Sequence, residues 1–189
     1  VGGNIQYSNY SNNTLYPFYE INYNTSFDLI KYGFFAKSNR RFFDDRLGVS
    51  LGIRVDQDNF TVDNNLLKNF SPRMALSWSI SKDNRWKLNF ATGRYFKIPT
   101  YTILGFKNLN NNFINNDSKY TRSDHLVFGI EYNNSESSRF SIEAFNKKYF
   151  NYPISVNDMV SLANKGGDFE VLGNENVSTS GRGISYGIE

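Results

Sequence analysis

Apolar and polar residues alternate with period two along most of this chain, as strands with two unlike faces require. From Leu47 to Asp56, Leu47, Val49, Leu51, Ile53 and Val55 share one face, and Gly48, Ser50, Gly52, Arg54 and Asp56 share the other. The pattern returns with Met74, Leu76, Trp78 and Ile80, then with Trp86, Leu88 and Phe90. It returns again with Leu126, Phe128, Ile130 and Tyr132, and with Phe140, Ile142 and Ala144. A weaker run from Phe27 to Ser38 places Ile30, Tyr32, Phe34 and Ala36 together, and Val1 to Tyr7 and Gly183 to Glu189 add one strand each. No helical period of comparable length is present. The pattern predicts an all-β chain of about eight antiparallel strands.

The expected connections alternate between long and short. Long stretches cover residues 9–26, 57–71, 96–121 and 150–182; short turns cover 39–45, 82–84 and 133–138. Outer-membrane barrels sort their loops in this way, with short turns at the periplasmic end and long loops outside. Strands of about 10 residues also suit a tilted crossing of a bilayer. One face is nearly pure Leu, Ile, Val, Phe and Trp. The other carries Arg54, Asp56, Arg73, Lys87, Glu131 and Glu143, charges that need water or a polar plug beside them. The expected fold is an antiparallel transmembrane β-barrel.

Composition narrows the chemistry. The 189 residues include 17 Phe, 13 Tyr and 27 Asn, which favour strands and turns. There is no Cys and a single His, so thiolate catalysis, disulfides and Cys or His-cluster metal centres are excluded. A net charge of +3 is too small for a nucleic-acid footprint. No signal peptide is visible, and the last strand alternates up to its final residue. Residues 1–189 are therefore expected to be a partial barrel domain without the end of the last strand.

Four segments carry a family resemblance. Asn69-Phe70-Ser71-Pro72-Arg73-Met74-Ala75-Leu76-Ser77-Trp78 resembles a strand entry of TonB-dependent outer-membrane receptors, and Gly93-Arg94-Tyr95-Phe96-Lys97-Ile98-Pro99-Thr100 resembles the element leaving the next strand. Tyr120 to His125 resembles the re-entry after the following loop, and Glu143 to Pro153 the next outgoing strand. Their order matches the second half of such a barrel, over roughly residues 45–189. The resemblance implies a 22-stranded barrel with an N-terminal plug, embedded in outer-membrane lipid and importing a scarce nutrient with energy relayed by TonB. No plug or TonB box is present in these residues. A surface lipoprotein is a further partner that this architecture admits. No cofactor is implied.

Candidate residues follow from position. Trp78 and Trp86 flank Lys82-Asp83-Asn84 and suit a periplasmic interfacial girdle. Tyr95, Tyr101, Tyr149 and Tyr152 stand where strands meet long loops; they suit a ligand vestibule or an outer-leaflet girdle. Arg94 and Arg122 flank one long loop and, with Arg73, suit a basic rim or pairs with Asp117, Asp124 or plug residues. His125 next to Asp124 invites a hydrolase reading, but neighbours on a strand point to opposite faces, so His125 is expected to be a polar lumen residue. Asp56, Asp58 and Asp63 fail the EF-hand spacing, and Gly166-Gly167-Asp168 with Gly173-Asn174 read as turns. The Asn-rich stretch 108–116 reads as a hydrated loop tip. Two other readings compete: a complete eight-stranded porin or adhesin, and a soluble glycan-binding β-sandwich.

Overall fold

The computed structural model describes residues 1–16, 21–62, 65–135, 138–165 and 175–189. Its strands are β1 (Gly2–Tyr16), β2 (Ile21–Phe42), β3 (Leu47–Asp58), β4 (Ser71–Ser79), β5 (Trp86–Lys97), β6 (Thr121–Ser135), β7 (Ser138–Ser155) and β8 (Val177–Ile188). Each pairs antiparallel with the next, so sheet order equals chain order, as the alternation predicts. Among the described residues β1 pairs only with β2 and β8 only with β7. The sheet is therefore an open section of wall and not a closed eight-stranded barrel. No described helix is long and apolar enough to cross a membrane, a statement that bears on helices alone.

Register aligns like with like. One row of Cα partners runs Val49, Leu76, Phe90, Phe128, Ala144 and Ile188 across β3 to β8. The row beside it runs Leu47, Trp78, Leu88, Ile130 and Ile142. These side chains stand open: Trp78 is 50% exposed, Phe128 47% and Ile142 65%. A contiguous apolar surface of that size is foreign to a water-soluble monomer and suits lipid. On β3 the apolar positions from Leu47 to Val55 span about 27 Å of strand, or about 20 Å of height at a tilt of roughly 40°. The opposite face carries the row Lys37, Gly52, Arg73, Gly93, His125, Lys147 and Ser185.

Several strands outrun their expected ends. The stretch 9–26, expected as a loop, is mostly strand: β1 pairs with β2 from Gly2↔Phe35 to Tyr16↔Ile21. Here alternation persists but changes phase. Between Ile21 and Ile30 the polar-face side bears the buried residues Tyr23, Thr25, Phe27 and Leu29, while Asn24, Ser26 and Asp28 face outward. Below this point the outward positions are apolar: Ile30, Phe34 and, on β3, Val55. The outward positions are thus polar above this height and apolar below it, as suits a strand that leaves a lipid-covered belt. The loops shorten accordingly to 59–70, 98–120 and 156–176. The short turn after β2 occupies residues 43–46, where Phe43, Asp44 and Asp45 all take positive φ, at 56°, 52° and 65°. Asp63, Gly166-Gly167-Asp168 and Gly173-Asn174 lie outside the described residues.

Candidate functional site

The outer-end loops build a small core of their own. The helical turn α1 (Tyr101–Leu104) follows Pro99 and carries Ile103 and Leu104 inward. Phe27, Leu29, Ile98, Leu104 and Tyr120 form one buried cluster, with Tyr10, Phe60, Phe96, Tyr101 and Phe113 packed against it. Phe27 stacks on Phe60 at 4.3 Å between centroids and meets Tyr101 and Phe113 edge-on at 6.1 and 5.8 Å. Offset and edge-on rings of this kind add to the area they bury.

Polar groups tie this core to the wall. Thr25 Oγ1 donates to the Gly105 carbonyl at 2.7 Å, and the Tyr23 hydroxyl donates to the same oxygen. Burial pushes the Tyr23 hydroxyl up to about 12, so it remains a donor at ordinary pH. Asp58, 3% exposed, accepts from the Phe60 and Thr61 amides, from Thr61 Oγ1 and from the Tyr120 hydroxyl, each at 2.7–2.8 Å. Four donors around one carboxylate satisfy a charge that burial otherwise penalises. Asn115 is fully buried; its amide donates to the Ile103 and Glu175 carbonyls and its oxygen accepts from the Val177 amide. That single side chain joins the β5–β6 loop to the β7–β8 loop. Its stretch, expected as a hydrated tip, is a tight hairpin: Asn108 accepts from the Asn110 and Asn112 amides, and Lys107 bridges to Phe113.

Below this cap, the polar face presents an aromatic and cationic patch. The Arg73 guanidinium lies 4.4 Å from the Tyr95 ring centre, and Tyr95 packs on the His125 ring at 4.7 Å. Both lie over Gly93, where a Cβ would stand 3.0 Å from the Tyr95 hydroxyl and 3.2 Å from Arg73. Glycine leaves the room for the stack. His125 Nε2 and Ser123 Oγ are 2.6 Å apart, at hydrogen-bond distance, while Asp124 points to the other face. Lys147 is the β7 partner of His125, and Tyr149 is the partner of Ser123.

The sequence-selected residues thus divide between five places. Tyr95, His125 and Tyr149 share the patch. Tyr101 belongs to the loop core, beside Tyr10 and Phe27. Tyr152 follows the irregular register at Asn151, whose φ is 57°, and faces Gly181. Arg94 and Arg122 stand on the apolar-row face, at its upper end: Arg94 pairs with Asp124 at 2.9 Å, and Arg122 approaches it at 3.5 Å while stacking over Phe150 at 3.9 Å. Trp78 and Trp86 occupy that face at its lower end, where Trp86 packs on Tyr132 at 4.7 Å. Sequence reading missed Ser123 and Lys147 as members of the patch; both have the phase of His125, which was the available signal. Among the described residues no group of carboxylates and histidine suits a metal ion.

The whole chain, residues 1–189, matches the family model described as TonB dependent receptor-like, beta-barrel. No curated protein matches it in sequence. Among solved structures it resembles the siderophore receptor PirA from Pseudomonas aeruginosa, with a TM-score of 0.62 over 86% of this chain and 14% identity. The chain spans 28% of the length of that receptor.

Proposed function

The chain belongs to the TonB-dependent receptor-like β-barrel family, and on that premise we propose that it forms part of the wall of an outer-membrane receptor that imports a scarce nutrient. The carrying observation is the register itself: apolar rows across β3 to β7 on one face and a row of Lys37, Arg73, His125 and Lys147 on the other. Lipid covers the first face, and the second lines the passage. The remaining strands, the plug and the contact with TonB belong to the rest of the receptor. No bond is made or broken in this reading.

The patch argues for an anionic ligand. Lys37, Arg73 and Lys147 supply positive charge on one row, and Tyr95 and Tyr149 offer flat contact area with a polar tip one row above. An iron chelate fits that chemistry, and the receptor it resembles in fold is a siderophore receptor. The capped loops of the outer end then act as the first contact for the ligand, and a surface lipoprotein could close over them.

The test uses the intact receptor in detergent, with anionic iron chelates as probes. Arg73→Gln with Lys147→Gln is expected to weaken binding by about thirtyfold to a thousandfold, from roughly 1–2 kcal/mol for each lost cation contact. Uptake by whole cells is expected to stop when TonB is removed. Unchanged binding in the double variant would remove the ligand-facing role of the patch, and TonB-independent uptake would remove the transport reading.

A further inference from the structure

His125 is the single histidine of the chain, and it stands half-buried on the polar face. Each element packed against it sets a group beside it. From β5, Tyr95 packs on the imidazole at 4.7 Å between ring centres, and Arg73 of β4 lies over the same phenol ring at 4.4 Å. From β7, Lys147 is its direct Cα partner, and Tyr149 is the partner of Ser123. Both phenols are neutral below about pH 10, so the charges nearest His125 on this face are positive.

The carboxylates of the polar face are engaged or stand elsewhere. Asp56 is held by two nitrogens of Arg54, at 2.6 and 2.7 Å, and Glu131 lies 3.7 Å from Lys87. Asp58 is wrapped by its donors in the loop core. Glu143 and Glu189 stand two same-face rows below Lys147 and Ser185. Asp124, next to His125 in sequence, points to the other face and pairs with Arg94.

The contact with Ser123 gives a proton on His125 a second consequence. Nε2 and the Ser123 Oγ are 2.6 Å apart. A neutral imidazole can accept the hydroxyl proton at Nε2, whereas an imidazolium carries N–H groups at both nitrogens and must donate there. Protonation therefore adds one positive charge to the patch and turns the Ser123 O–H away from the ring, where it can donate to a ligand. An anion gains from both changes. Without an anion, the new charge stands unrelieved beside Arg73 and Lys147. Linkage is reciprocal, so a ligand that prefers the protonated site draws a proton onto it by the same factor.

We infer that Ser123 and His125 make the patch a proton-linked anion site: an anionic ligand binds together with one proton from the medium, which His125 holds, and affinity rises from neutral to mildly acid pH. This linkage rests on the anionic-ligand reading of the patch proposed above and adds its regulation. Ser123 becomes a ligand-reading residue in the acid form, and His125 is the group that switches it.

The experiment is calorimetric titration of the intact receptor in detergent with hexacyanoferrate(III), an iron complex whose triple negative charge is constant over the pH range used. Wild-type receptor should bind it about tenfold more tightly at about pH 5.5 than at about pH 8, the factor that corresponds to one pKa unit of coupling. Near pH 6.5, buffers of different ionisation enthalpy should report uptake of about half a proton per ligand for that coupling. His125→Gln should bring the acid-to-neutral ratio within about twofold and abolish the uptake. Ser123→Ala should keep the uptake and reduce the ratio to about threefold, the loss of one hydrogen bond. A wild-type ratio within twofold would overturn the linkage, and so would a tenfold ratio that persists in His125→Gln. Arg73→Gln with Lys147→Gln, measured alongside, separates the two readings. If that double variant weakens binding while the wild-type ratio is flat, the linkage alone falls. If it leaves binding unchanged, or if the trianion does not bind at either pH, the anionic patch falls and the linkage with it.

Discussion

At the scale of single residues, what a side chain does here depends on its phase and its height along the strand. Phe128 and Asn146 are both on the lipid-facing rows, but Phe128 is in mid-belt and Asn146 stands higher, two residues from Lys148. Phe128→Arg should destabilise the intact receptor by about 2–4 kcal/mol and Asn146→Arg by no more than about 1 kcal/mol, because a charge costs most at the bilayer midplane. Equilibrium unfolding in lipid vesicles measures both; equal penalties would mean that this face does not cross a bilayer. Phase also explains which candidate residues were legible. Trp78 and Trp86 could be placed from alternation alone. Arg94 and Arg122 read as a basic rim with Arg73 because the two flank one loop, yet continuing the alternation from Trp86 through Leu88, Phe90 and Thr92 puts Arg94 with the apolar set. Proximity in sequence stood in for phase, and adjacent residues on a strand face opposite ways.

At the scale of elements, the β1–β2 hairpin is where the sequence was hardest to read. A search for one apolar face per strand loses the signal at Ile30, where that face changes sides, and so the stretch up to Phe27 looked like loop. Its alternation is intact, as Tyr23, Thr25, Phe27 and Leu29 show. The loop core was invisible for a different reason: Phe27, Phe60, Phe113 and Tyr120 are far apart in sequence and meet only where two separate loops fold onto strand β2. The clasp of Tyr23 and Thr25 on the Gly105 carbonyl has a pH signature. An unfolded tyrosine ionises near 10 and this one near 12, so its contribution is complete below pH 10 and lost as pH rises through about 12. A spin label at Leu109, on the exposed tip of that loop, should gain mobility over that alkaline range. In Tyr23→Phe, which cannot ionise, the same range should produce no release, since Thr25 still holds the carbonyl. Release at the same pH in that variant would show that another group governs the loop.

At the scale of the whole molecule, the open meander, its two unlike faces and its sorted connections form one consistent design. Short turns of four to six residues lie at one end, around residues 43–46 and 80–85, and the packed cap lies at the other. The sequence supports the all-β meander because period-two alternation follows from the pleat; it could not show that β1 and β8 are both open edges, which is a matter of pairing. Unpaired edges are liabilities that closure into a barrel removes. The central claim is that the row containing Phe90 and Phe128 faces lipid while the row containing Arg73 and His125 faces water. These 189 residues contain no cysteine, so nitroxide labels can be placed by single cysteine substitutions at each position from Lys87 to Tyr95 in the intact receptor, reconstituted in bilayers. Collision with dissolved oxygen and with a water-soluble nickel chelate should alternate along β5: oxygen favoured at positions 88 and 90, the chelate at 87, 89 and 91, with the chelate gaining access on both faces from position 94 upward. Chelate access to positions 88 and 90 equal to that at 87 and 89 would contradict a lipid-covered wall.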